Sequence, residues 1–219
     1  MLLEKKTKTR RLVKRLLELE DKISGMAFPK MKRVKQVSAS HCGPAVLEEL
    51  FSFLGARVSQ ASVVRTLRAS KKIRRYGLNI GDLARATKTI GKGKFVFWKK
   101  ANSGVNDLSQ VVNKFKYPAG VEWQGVFYED DDGDSGHYSI VTKVEKRSGF
   151  LKISDPYSKF AGTDRKFKIL NFQKRWWDQN EVKLSGTSKR KIVTDKKVMF
   201  LITPKGAAWP KKLGMVRAS

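Results

Sequence analysis

A lone thiol, two imidazoles, an aspartate set before a proline and an upstream glutamine are the residues of this chain whose types and order suit acyl transfer. Cys42 is the only cysteine, and Gly43-Pro44 follows it at the head of a run (Ala45, Val46, Leu47, Leu50, Phe51, Leu54) with apolar residues at helical spacing and Gly55 at its end. Proline is well tolerated in the first turn of a helix. A thiol there sits at the positive end of the helix dipole, which favours the nucleophilic thiolate. Gly43 is read as leaving room for backbone or substrate close to the sulfur. His137 opens one apolar run after Gly136, and Asp155 closes the next. A turn through Arg147-Ser148-Gly149 would pair those runs and bring both side chains to the same end of a sheet. The carboxylate then holds the imidazole by one nitrogen and leaves the other to take and give a proton. Gln36 can offer a side-chain N–H to a developing oxyanion, beside the backbone N–H of Cys42.

Taken singly, each residue has a plainer role. Cys42 could be a buried apolar side chain, His137 a structural histidine and Asp155 a turn residue; Gln36 alone says nothing. What favours chemistry is that all four fall in a workable order on suitable elements. A zinc site from His41, Cys42 and His137 would need adjacent side chains to converge on one ion, and a fourth ligand is not evident. Asp130 to Asp134 opens like a calcium loop, but the closing position holds Val141 where a Glu is needed, so a solvated loop is the better reading. No metal or organic cofactor is expected. Trp98, Trp123, Trp176 and Trp177 read as core and groove wall rather than a base-stacking platform.

The elements that must position these residues change character halfway along. Leu12, Val13, Leu16, Leu17 and Leu19 alternate with charges as in an amphipathic helix stopping near Ser24-Gly25. Such a helix could dock on the domain, lie on an anionic membrane or bind a partner. An extended linker over 26–31 follows. After the Cys42 helix, Ser59 or Ser62 would cap a second one running to about Ser70. A third runs from Asn79 to about Ile90 and is broken by Gly91 and Gly93. A short strand over 95–98 and a fourth helix over 105–115 complete this half. Beyond Tyr117-Pro118 the period becomes two. Strands are expected over 121–127, 137–144, 150–153, 167–170 and 197–203, with an acidic loop over 129–134 and a short helix bearing Phe172, Trp176 and Trp177. Helices followed by antiparallel strands make an α+β domain with segregated layers.

With 219 residues and 40% hydrophobic composition, the chain supports one sizeable core, expected over 34–205, with a basic extension over 1–33 and a tail over 206–219. No stretch is long and apolar enough to span a bilayer, the basic start lacks a signal-peptide core, and one cysteine fits a reducing compartment, so cytoplasmic residence is expected. The formal charge of +27 attracts polyanions, yet the cations are spread throughout and no nucleic-acid-binding signature is present. Charge is therefore a hint of contact with nucleic acid or an anionic surface and no more. Oligomeric state is not legible.

Gln36 with Cys42-Gly43-Pro44-Ala45, then Gly136-His137-Tyr138-Ser139-Ile140-Val141, then Asp155-Pro156, resemble the papain-like double-glycine (bacteriocin-processing) cysteine peptidases. The resemblance runs from about Val34 to Thr203 and takes in Gly77 to Leu83, Tyr117-Pro118 and Phe172 to Trp177. It implies a papain-like fold, a peptide or protein substrate, Cys42 as nucleophile, His137 as general base and acid, Asp155 as orienting residue and Gln36 in the oxyanion hole. Peptide-maturing members are commonly fused to a transporter, and no such membrane segment is seen in this sequence, so the double-glycine substrate does not carry over. The basic leader lies outside the pattern; a further reading has it blocking the groove of a latent enzyme. The rival from another class is a catalytically idle papain-like module that uses its basic surface for binding.

Overall fold

The computed structural model describes residues 27–75, 77–126, 136–183 and 190–218. The amphipathic stretch expected over 12–19 and the acidic loop over 129–134 lie outside the described residues. Helices come first: α1 (Cys42–Phe53), α2 (Gln60–Thr66), the single turn α3 (Ser70–Ile73) and α4 (Ile80–Ile90). Reciprocal capping boxes start two of them, Ser59 with Ser62 on α2 and Asn79 with Asp82 on α4, so two orphan N–H groups are satisfied at each. The second helix was expected to reach Ser70; it stops at Thr66 because Arg68 turns left-handed, with φ 51°.

Next come β1 (Phe95–Lys100), α5 (Val105–Ser109), which continues as a π turn over Gln110–Lys114, then β2 (Ala119–Gln124), β3 (Gly136–Glu145), β4 (Phe150–Ser154) and β5 (Asp164–Lys168). The rest is α6 (Ile169–Arg175), β6 (Trp177–Lys183), β7 (Arg190–Lys196), β8 (Met199–Pro204), α7 (Trp209–Lys212) and β9 (Val216–Arg217). Seven strands form one antiparallel sheet in the order β5-β4-β3-β2-β8-β1-β9, and β6 and β7 pair as a separate hairpin.

Apolar residues on successive strand positions point to opposite faces, and the sheet uses both. Phe97, Ile140 and Phe200 face the core made with α1, α2 and α4, while Trp98, Val141 and Leu201 face a second core closed by Phe172 and Trp176. Trp98, Trp123 and Trp176 are buried, and each indole N–H finds an acceptor: Thr203 Oγ1, Ser139 Oγ and the Val198 carbonyl.

Several boundaries differ from the sequence reading. The strand expected over 167–170 is β5, and Leu170 belongs to α6; Trp177 starts β6 instead of closing the helix. The hairpin β6–β7 was not foreseen, because its strands are mostly polar and charged and show no apolar alternation. Residues 206–218 do not trail away, since β9 pairs with β1 through Trp98 opposite Arg217. Before 34, Met31 is buried in the first core, and Arg33 pairs with Asp164 at 2.8 Å while donating to the Ala27, Phe28 and Met31 carbonyls. Among the described residues, no helix is long and apolar enough to cross a membrane.

Candidate active site

Three elements deliver three side chains to one end of the sheet. Cys42 is the first residue of α1 and only 7% exposed. His137 is the second residue of β3, opposite Trp123. Asp155 immediately follows β4, which pairs with β3 through a turn at residues 146–149 where Gly149 takes φ +73°. Ile140 lies opposite Ser154, and that register aligns the imidazole with the carboxylate. His137 Nε2 is 2.8 Å from Asp155 Oδ1, and the Cys42 side chain interacts with the same ring. With Nε2 engaged, Nδ1 is the nitrogen left for sulfur.

The imidazole stands at a strand end, yet it is only 2% exposed. Burial disfavours its charged form, yet the Asp155 charge and hydrogen bond, joined by the contacts with Cys42, outweigh this and raise the His137 pKa to about 9. Burial likewise pushes Asp155 upward, but the charge and hydrogen bond of His137, the Arg165 charge and the Tyr157 N–H (3.0 Å from Oδ1) leave its pKa lowered. An imidazolium beside a carboxylate is the form that stabilises a thiolate.

Gln36 reaches the same region by backbone: its N–H donates to the Pro156 carbonyl at 2.8 Å. Its side chain is buried, with Nε2 donating to the Ser38 and Ala39 carbonyls at 2.8 and 3.0 Å and Oε1 without a hydrogen-bond partner among the described residues. The amide thus braces the loop into Cys42. His41 turns away from any metal arrangement, with Nδ1 2.6 Å from Ser38 Oγ. Among the described residues, no group of three or more His, Cys, Asp and Glu converges as metal ligands do. Gly43 does not open a path for substrate: a Cβ there would lie 3.1 Å from Leu83 Cδ2 and 3.4 Å from Leu78 Cβ, so its role is close packing of α1 on the core. A cavity of about 400 Å³ between Phe28, Phe53, Val112 and Thr142 holds none of the four candidate residues.

Some neighbours were invisible in the sequence. Arg165 on β5 places Nη2 2.8 Å from Asp155 Oδ2. Tyr138, next to His137, donates to buried Glu122 at 2.6 Å, and Asn180 of the unforeseen hairpin donates to the same oxygen at 3.1 Å. Burial raises the Glu122 pKa to about 7. These contacts join residues far apart in the chain, and no local spacing announces them.

No family model matches the chain, and no curated protein matches it. Among solved structures it is similar to the peptidase domain of Streptococcus ComA, a bi-functional ABC transporter involved in a quorum sensing pathway, with a TM-score of 0.53, 19% identity, and 80% of this chain and 98% of that chain covered. The likeness shows the fold, the α+β papain-like fold expected from the sequence.

Proposed function

We propose that this chain is a cysteine peptidase, or a closely related thiol hydrolase, of the papain-like double-glycine peptidase family. The observation that carries the reading is the continuous contact from Cys42 through His137 to Asp155. The Cys42 thiolate adds to a peptide carbonyl carbon, and the carbonyl electron pair moves to oxygen. As that pair returns, the C–N bond breaks and His137 Nδ1–H protonates the leaving amine. Water then attacks the thioester while His137 takes its proton, and Cys42 leaves as thiolate; an amine in place of water makes the reaction a transfer. Asp155 holds the ring throughout. The oxyanion sits between the Cys42 backbone N–H and Gln36, whose Nε2 exchanges one loop carbonyl for it.

The test is the rate of Cys42 alkylation by iodoacetamide against pH in wild type and His137→Ala. Rapid labelling well below the free-thiol pKa of about 8.5, lost in the variant, is expected of a thiolate–imidazolium pair. Ordinary thiol behaviour in both proteins sinks the reading. The rival reading is a catalytically idle papain-like module, and the charge of +27 is its hint of binding to nucleic acid or an anionic surface. Salt-sensitive binding that survives Cys42→Ala would support it, and absence of binding at low salt would remove it.

A further inference from the structure

We propose that Arg165 is a positioning residue of the thiol site, bracing Asp155 through Oδ2, the oxygen that His137 does not use. The proposal rests on the Cys42–His137–Asp155 reading and adds a fourth group to it.

Asp155 is 1% exposed, and its two oxygens are served differently. Oδ1 accepts from His137 Nε2 at 2.8 Å and from the Tyr157 N–H at 3.0 Å. Among the described residues Oδ2 accepts no hydrogen bond, and Arg165 Nη2 faces it at 2.8 Å as an ion pair, charge against charge. Remove the guanidinium and Oδ2 becomes a buried anionic oxygen with no compensation, a state a carboxyl escapes by taking up a proton. A protonated Asp155 no longer supports an imidazolium, and the thiolate goes with it.

The cation is built in. The Arg165 guanidinium carbon stands 3.9 Å from the centre of the Phe160 ring and 5.4 and 5.5 Å from those of Phe167 and Trp123, and Nη1 donates to the Val126 carbonyl at 3.1 Å. Its chain neighbour Asp164 is not its partner. Asp164 instead binds Arg33 through both oxygens, at 2.8 and 3.1 Å, leaving Arg165 to Asp155. The register of β5 on β4, Ile153 opposite Arg165 and Ser154 opposite Asp164, sets both pairings at once. Among the described residues, the charged groups bearing on Asp155 are His137 on β3 and Arg165 on β5, with Cys42 on α1 beyond the ring.

The experiment is the iodoacetamide pH profile of Cys42 in wild type, Arg165→Gln and Arg165→Lys, each confirmed folded by circular dichroism. Arg165→Gln is expected to move the acid limb up by about one pH unit or more, about a tenfold loss of labelling near pH 5, and Arg165→Lys to restore most of it. A purely structural arginine would lower stability and leave the limb in place; an unmoved limb in Arg165→Gln overturns the proposal. Should Arg165→Gln not fold, Arg165→Met, which removes the charge and keeps an apolar stem against Phe160 and Phe167, is read in its place: a limb raised by about a unit or more supports the proposal, and an unmoved limb overturns it. If wild type itself labels as an ordinary thiol and His137→Ala changes nothing, the triad reading fails and the Arg165 role falls with it, a result distinct from an unmoved limb.

Discussion

The backbone N–H of Gln36 donates to the carbonyl of Pro156 at 2.8 Å. One bond thereby ties the segment entering the Cys42 helix to the residue that follows Asp155. A second tie lies beneath it, where Glu49 of α1 accepts from the Val34 N–H at 2.9 Å and from the Ser154 hydroxyl at 2.7 Å. The Cys42 helix, Gln36 and Asp155 are therefore held as one body, with His137 on β3 completing it. Preorganisation of this kind would spare the site reorganisation during the proposed reaction.

Gln36→Ala separates oxyanion stabilisation from thiolate formation. Iodoacetamide alkylation passes through no oxyanion, so it should fall by no more than about threefold, from loosening of the Ser38–Ala39 loop. Acylation of Cys42 by p-nitrophenyl acetate, read as the nitrophenol burst, should fall by about 10²–10³-fold if Gln36 serves the oxyanion. Equal losses in both reactions would leave Gln36 as a loop brace only.

Glu49→Gln should flatten the dependence of stability on pH. Burial, partly offset by the Ser154 and Val34 hydrogen bonds and the Arg33 charge, raises the Glu49 pKa from 4.5 to about 8. The native state then binds the proton more tightly than the unfolded one, so stability falls as pH rises from about 4.5 to about 8, by on the order of 3–5 kcal/mol at full extent. Gln keeps an acceptor for Val34 and gives a donor to Ser154 while removing the titration. Glu122, raised to about 7, and His137, raised to about 9, slope the same way, so the variant's curve is reduced rather than level. Urea unfolding at several pH values reads this directly, and an unchanged slope would refute the assignment to Glu49.

How much of this was legible in the sequence depends on whether a feature is local. The Cys42 helix, the Ser59 cap and the pairing of β3 with β4 follow from patterns within a few residues, and the strand that His137 opens and the one that Asp155 closes stand where alternation puts them. The roles of Arg165, Glu49 and Asn180 depend on partners 10 to 105 positions away, across register choices that propensity does not encode. Gly43 shows the same limit in another form. A glycine beside a thiol suggests an open approach, and only the packing of Leu78 and Leu83 reveals that the space is filled. The hairpin β6–β7 was missed because polar strands carry no apolar alternation to read.

Gly136→Ala tests how that hairpin supports the histidine. A Cβ at Gly136 would fall 2.4 Å from Asp178 Oδ1, and Asp178 is held by the Gln124 Nε2 at 3.0 Å. Gln124 is itself the cross-strand partner of Gly136, so the carboxylate has little freedom to retreat along β2. The substitution must displace Asp178 or the start of β3, and overpacking of this kind costs about 1–3 kcal/mol. Because His137 is the next residue, Cys42 labelling near neutral pH should fall together with stability. Asp178→Ala removes the obstruction, so the double variant should recover part of the loss, giving a coupling of about 1 kcal/mol or more in a double-mutant cycle. Simple additivity of the two changes would mean that Asp178 swings aside freely and that the hairpin does not constrain the histidine strand.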